Sequence, residues 1–193
     1  KDVKPDESYT SDTVTINIPE GHYLVWEWTV SGKGIPCTKM ATLTSTTSSS
    51  DGTQFNYCDE IPLPQLIGAK RNVKHTLAAI GDSITQGCQT EFMKYEFWAS
   101  KISTQLGSDV AFFNCGLGWA RASDAAANES WLSRVSEYYT VIVAFGTNDI
   151  VSGKYGGKKS TAEEIEGCLD TIVSYLTEKG CDVILFNAPP QDF

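Results

Sequence analysis

A chain of 193 residues with a net charge of −9 and a pI near 4.7 is ill suited to nucleic acid or an anionic membrane surface, and better suited to a neutral small molecule or sugar. Hydrophobic residues at 41% and charged residues at 20% mark a globular rather than a disordered protein, with room for one ordinary domain and a smaller appendage. No apolar run approaches the roughly 20 residues of a membrane-spanning helix.

Lys1 stands where an initiator methionine would, with no signal-like segment after it, so the chain reads as a processed or excised piece. Residues 1–12 are polar and read as irregular. Residues 13–18 and 23–30 each alternate at period two around Pro19-Glu20-Gly21, which predicts a β-hairpin. The Ser/Thr-rich stretch 41–53 predicts either an exposed strand and loop or a plain surface loop, and residues 54–57 a short strand. Region 1–70 is thus β in character but short of strands for a complete sandwich, a partial jelly roll. It ends in a stiff extended linker, Ile61-Pro62-Leu63-Pro64, because each proline fixes its own φ and restrains its neighbour.

After about residue 70 the pattern changes. Strand-like runs at 75–81, 109–114, 140–145 and 181–187 alternate with helical patterns at 91–106, 123–137 and 160–179. Such alternation implies βαβ units and a parallel sheet covered on both faces, an α/β/α domain over 71–193 with flavodoxin-like strand order. In 160–179 the apolar set Ile165, Leu169, Ile172, Val173 and Leu176 follows the 3.6 period, with Ser160 and Glu163 as a capping box and Gly180 as the stop. Thr90 can cap 91–106. Of the six cysteines, Cys115, Cys168 and Cys181 read as reduced core thiols, which leans toward a cytoplasmic setting, while Cys37 and Cys58 could face each other. No CxxC pair or His-Cys cluster signals zinc.

Three stretches end three successive strands, so they should meet on the carboxyl edge where open α/β sheets keep their ligands. They are Gly81-Asp82-Ser83, Asn114-Cys115-Gly116-Leu117-Gly118-Trp119-Ala120-Arg121, and Gly146-Thr147-Asn148-Asp149. Acyl transfer needs a nucleophile and donors aimed at the developing oxyanion. Ser83 offers the first; a glycine N–H of the second loop and the Asn148 amide offer the others. Asp82 and Asp149 read as carboxylates that fix their loops through backbone N–H groups. Trp119, Arg121 and Asp149 are the candidate substrate-binding residues, with packing and pairing as the alternative role for Trp119 and Arg121. Gly116 reads as a turn glycine needing a positive φ.

These strings resemble a known family. Gly-Asp-Ser at 81–83, Asn-x-Gly-x-Gly at 114–118 and Gly-Thr-Asn-Asp at 146–149 are similar to the first three sequence blocks of the SGNH (GDSL) hydrolases. The longer strings at 81–87 and 114–125 resemble bacterial carbohydrate-esterase-like members, and the resemblance spans roughly 75–193. It implies Ser83 as nucleophile and Asn148 as oxyanion donor. Many members carry a glycine where this chain has Trp119, so the second donor falls to Gly118 or to the Trp119 backbone, and Gly118 is preferred. No metal or organic cofactor is implied.

The family's base is a histidine steadied by an aspartate in an Asp-x-x-His block. This chain contains two histidines, His22 and His75, and no such block. His75 opens the strand that leads to Ser83 and should lie at the sheet's opposite edge; His22 falls in the hairpin. The expectation is therefore a serine ester hydrolase for small acyl, chiefly acetyl, esters of carbohydrates. Its base would come from a missing or companion segment docked beside strand 181–187 or 140–145. Two alternatives are an inactive carbohydrate-binding or scaffolding module on the same fold, and a lipid-ester or thioester hydrolase.

Overall fold

The computed structural model describes residues 4, 9–19, 22, 38–39, 45–47, 55–57, 60–61, 72–87, 96–151 and 157–189. Cys37, Cys58, the linker at 62–64, Thr90 and the second hairpin arm at 23–30 lie outside the described residues. The chain divides into two compact units, Lys1–Ile35 and Pro36–Phe193.

In the first unit the His22 N–H donates to the Pro19 carbonyl at 3.1 Å, while Glu20 and Gly21 of the expected turn lie outside the described residues. Residues 13–18 make no ladder, and Val14, Ile16 and Ile18 stay exposed.

The described residues at the start of the second unit are four short strands. β1 (Thr38–Lys39) pairs antiparallel with β4 (Glu60–Ile61), and β2 (Ser45–Thr47) with β3 (Phe55–Tyr57). The strand reading of the Ser/Thr-rich stretch therefore prevails over the plain-loop reading.

Four parallel strands follow: β5 (His75–Gly81), β6 (Val110–Gly116), β7 (Thr140–Ala144) and β8 (Asp182–Leu185), in the order β6-β5-β7-β8. The chain steps from β5 to β6, then crosses back over β5 to β7, so the strand order reverses around β5. That reversal opens a crevice at the carboxyl edge. β5 is apolar on both faces, as a central parallel strand must be. Ala78 and Ile80 face a large core with Val141, Val143, Leu132, Val135, Ile172 and Leu176. Leu77 and Ala79 face the other way, toward Ile142, Trp98, Ile102 and Phe112.

Among the described residues six helices cover the sheet: α1 (Ser83–Gln86), α2 (Trp98–Leu106), α3 (Ala122–Ala126), α4 (Glu129–Val135), α5 (Thr147–Ile150) and α6 (Ala162–Glu178). The helical pattern at 123–137 is broken in two because the Asn128 side chain accepts the Trp131 N–H at 3.0 Å and starts a new helix. α6 buries Ile172 and Leu176 as the periodicity predicts. Its capping box sits one residue later than expected. Thr161 Oγ1 accepts the Glu164 N–H at 3.2 Å, and Glu164 Oε2 accepts the Thr161 N–H at 2.8 Å. The spacing is the same, and Thr161 keeps the extended backbone a cap requires. At the other end Gly180 N–H donates to Thr177 O and Cys181 N–H to Leu176 O, closing the helix and turning the chain into β8.

β7 is flanked by β5 and β8, so it offers no open edge and cannot be a docking strand. β8 is the outer strand on that side, and Ile184, Leu185 and Phe186 are exposed along it.

Candidate active site

The register puts three loops at one level. Gly81, the last residue of β5, lies opposite Gly116 of β6 on one side and Ala144 of β7 on the other. Ser83, Gly118 and Asn148 leave the sheet from these three strand ends, as do Trp119, Arg121 and Asp149.

Ser83 is the first residue of α1 and is half-buried. Asp82 caps that helix, Oδ1 accepting the Ile84 N–H at 2.8 Å. Asn114, on β6, ties the nucleophile turn to the second loop. Its Nδ2 donates to the Thr85 carbonyl at 2.8 Å and its Oδ1 accepts the Gly116 N–H at 3.0 Å. Sequence reading placed Asn114 in a motif without giving it this work; an Asn at a strand end, two residues before a glycine, is the pattern of a side chain bonding its own turn.

Gly116 is needed for a different reason than expected. Its φ is not positive. A Cβ there would press on the Gln86 nitrogen and stand 2.8 Å from the Thr85 carbonyl carbon, so the glycine lets α1 lie directly on β6. The positive φ falls three residues later. Residues 117–120 form a turn closed by Ala120 N–H to Leu117 O at 3.1 Å. Its third residue, Trp119, has φ +65°, unlike any other non-glycine among the described residues. Left-handed backbone costs a side-chain-bearing residue roughly 1–2 kcal/mol. Gly118 sits at the second position, where no positive φ is required.

That turn is held at both ends. Leu117 N–H donates to Gly81 O at 2.9 Å, two residues before Ser83. Asn148 Nδ2 donates to Ala120 O at 2.9 Å, buried, leaving its second amide hydrogen for another acceptor. Asp149 accepts the Ala122 N–H on both carboxylate oxygens, at 3.1 and 3.2 Å. Asp82 and Asp149 thus serve as loop fixers. Arg121 turns its guanidinium to the chain after α5, donating to Lys158 O at 2.6 Å and Val151 O at 3.2 Å.

Burial raises the Asp82 carboxyl above its ordinary value, against the Ile84 N–H, and the nearby Asp149 charge pushes the same way. Burial raises Asp149 too, opposed by the Ala122 N–H and by Arg121. His75 is remote from all of this. Its Nε2 is 2.9 Å from Thr140 Oγ1 at the amino edge, and the six residues on to Gly81 span about 20 Å. Among the described residues no group of His, Cys, Asp and Glu is gathered to hold a metal ion.

A cavity of about 230 Å³ opens beside the nucleophile turn, lined by Asp82, Ile84 and Thr85 of that turn and by Trp98, Thr147 and Phe186. Thr85 is 1% exposed, and its hydroxyl is the buried side-chain polar atom that finds no hydrogen-bond partner among the described residues.

Several solved structures are similar to this chain. A carbohydrate acetylesterase from Sinorhizobium meliloti is 22% identical over 61% of this chain and 65% of its own, with a TM-score of 0.48. A catalytic mutant of an acetylxylan esterase from Geobacillus stearothermophilus is 19% identical over 61% of each chain, with a TM-score of 0.46. A third, described as TesA, is 19% identical over 57% of this chain and 58% of its own, with a TM-score of 0.48. The chain thus spans about three-fifths of the length of the structures it matches. No curated protein matches it. Residues 79–193, which contain all three loops, match the family described as GDSL-like lipase/acylhydrolase, and the chain belongs to that family.

Proposed function

We propose that the chain carries the nucleophile and oxyanion donors of a serine ester hydrolase for small acyl esters, chiefly acetyl groups on carbohydrates. The observation that carries this reading is the common level of Gly81, Gly116 and Ala144, the strand ends from which the loops carrying Ser83, Gly118 and Asn148 leave the sheet. Ser83 Oγ attacks the ester carbonyl. The Gly118 N–H and the free amide hydrogen of Asn148 receive the charge that develops on its oxygen. The acidic surface favours a neutral substrate. Trp119 and Arg121 belong to the substrate side of the site in this reading, Arg121 by holding the neighbouring loop, and Asp149 by bracing it.

The proton of Ser83 needs a base, and His75 is not placed for it, since it lies at the far edge of the sheet. The base is a histidine on an Asp-x-x-His segment outside these residues, which docks along the outer edge of β8. It takes the proton during attack and returns it to the leaving alcohol.

Hydrolysis of p-nitrophenyl acetate tests this, with Ser83→Ala as control. The expected result is negligible turnover by the chain alone and Ser83-dependent turnover once an Asp-x-x-His polypeptide is supplied. Ser83-dependent turnover by the chain alone would remove the external base; turnover surviving Ser83→Ala would remove the nucleophile. A carbohydrate-binding module without turnover is the second reading, favoured by the remoteness of His75. It predicts binding of acetylated sugars with no turnover under either condition. Acetylated xylan set against a long-chain ester separates a carbohydrate substrate from a lipid one.

A further inference from the structure

We infer that Trp119 is a specificity-determining residue, whose indole receives the flat C–H face of the sugar ring that carries the ester. The inference rests on the ester-hydrolase reading and deepens it. The turn at 117–120 requires a positive φ at its third residue, and the chain places Trp119 there with Gly118 immediately before it. The reverse order would satisfy the same turn without strain. Backbone held in a disfavoured region persists where the surroundings over-determine it, and such residues gather at ligand sites.

The surroundings do over-determine this turn. One end is bonded to Gly81 O and the other to Asn148 Nδ2, so its two central residues are fixed between the nucleophile turn and the proposed oxyanion donor. The indole is not there to fill a core, since Trp119 is 56% exposed. An indole face is electron-rich and attracts weakly positive C–H groups, of which a pyranose presents a flat set. The net charge of −9 disfavours an anionic ring.

The test is equilibrium binding to the 193-residue chain carrying Ser83→Ala, so that no ester is turned over. The probes are acetylated xylobiose, which has sugar rings, phenyl acetate, which has an aromatic ring, and glycerol triacetate, which has neither. Trp119→Gly and Trp119→Asn both suit a left-handed position, so both keep the turn. Each should weaken acetylated xylobiose about fivefold or more and leave glycerol triacetate unchanged, while Trp119→Phe keeps most of the affinity. The thermal midpoints of the Gly and Asn variants should not fall. The inference is overturned if no variant changes the xylobiose affinity, if glycerol triacetate weakens equally, if both midpoints drop, or if phenyl acetate is the ligand that depends on the indole. Failure of the ester-hydrolase reading shows in a different assay, as p-nitrophenyl acetate turnover indifferent to Ser83→Ala.

Discussion

The Asn148 side-chain amide donates to the Ala120 carbonyl at 2.9 Å, so the residue proposed to hold the oxyanion also fastens the loop that supplies its partner donor. Removing it should therefore have two separable effects. Asn148→Ala leaves a buried carbonyl unpaired and should cost about 1–3 kcal/mol in urea denaturation. In the base-supplied enzyme it should lower kcat about 100- to 1000-fold with little change in KM. A rise in KM at constant kcat would show instead that the amide only binds the ground state.

Gly116 tests the close contact between α1 and β6. Gly116→Ala places a methyl group against the Gln86 nitrogen and the Thr85 carbonyl carbon, and neither is a flexible side-chain end that can yield. Overpacking of this kind costs about 1–3 kcal/mol. The variant should unfold at lower denaturant and lose Ser83 reactivity together. If the cost were below half a kcal/mol, α1 would have to sit further from the strand than the structure places it.

Thr85 predicts the opposite sign. Its buried hydroxyl has no partner among the described residues, and an unsatisfied buried polar group costs roughly 1–3 kcal/mol. Thr85→Val keeps the shape and removes the hydroxyl, so it should raise the denaturation midpoint. A destabilised Thr85→Val would reveal a bond to that oxygen in solution.

The two buried carboxyls give a pH dependence whose sign can be worked out. Asp82 and Asp149 are both raised from 3.8 by burial, so above that value the folded chain holds more protons than the unfolded one. Their penalty is absent well below pH 3.8, grows as pH rises through the unfolded value, and is complete above the folded one. Asp149→Asn keeps an oxygen to accept the Ala122 N–H and removes the charge. It should flatten the fall in stability as pH climbs from about 4, measured by denaturation across a pH series. An unchanged slope would mean that the Asp149 charge is fully compensated by Arg121 and the backbone.

Much of this fold is legible in the sequence because its signals are periodic and local. The four parallel strands, the buried stripe of α6 and the three loops at one edge all follow from alternation and from where each strand stops. The errors arose where a contact between distant segments decides. Gly116 announces a glycine requirement, but only the approach of α1, thirty residues earlier in the chain, shows that space rather than φ is the reason. The left-handed backbone of Trp119 has no sequence signal, since propensity would assign it to the glycine beside it. The staple made by Asn114 and the hold of Arg121 on Lys158 and Val151 likewise depend on partners 29 to 37 residues away.

The open flank of β8 has a consequence for how the protein behaves among copies of itself. Among the described residues no strand lies beside the outer edge of β8, and its backbone next to exposed Ile184 and Leu185 is a template on which another strand can add; natural sheets usually blunt such borders with charge or proline. What opposes self-association here is colloidal. A charge of −9 on each molecule keeps copies apart at low ionic strength, and that repulsion reaches only about 10 Å once salt is near 0.1 M. Added salt should therefore promote assembly rather than solubility, and a lysine at position 185 should cancel the effect.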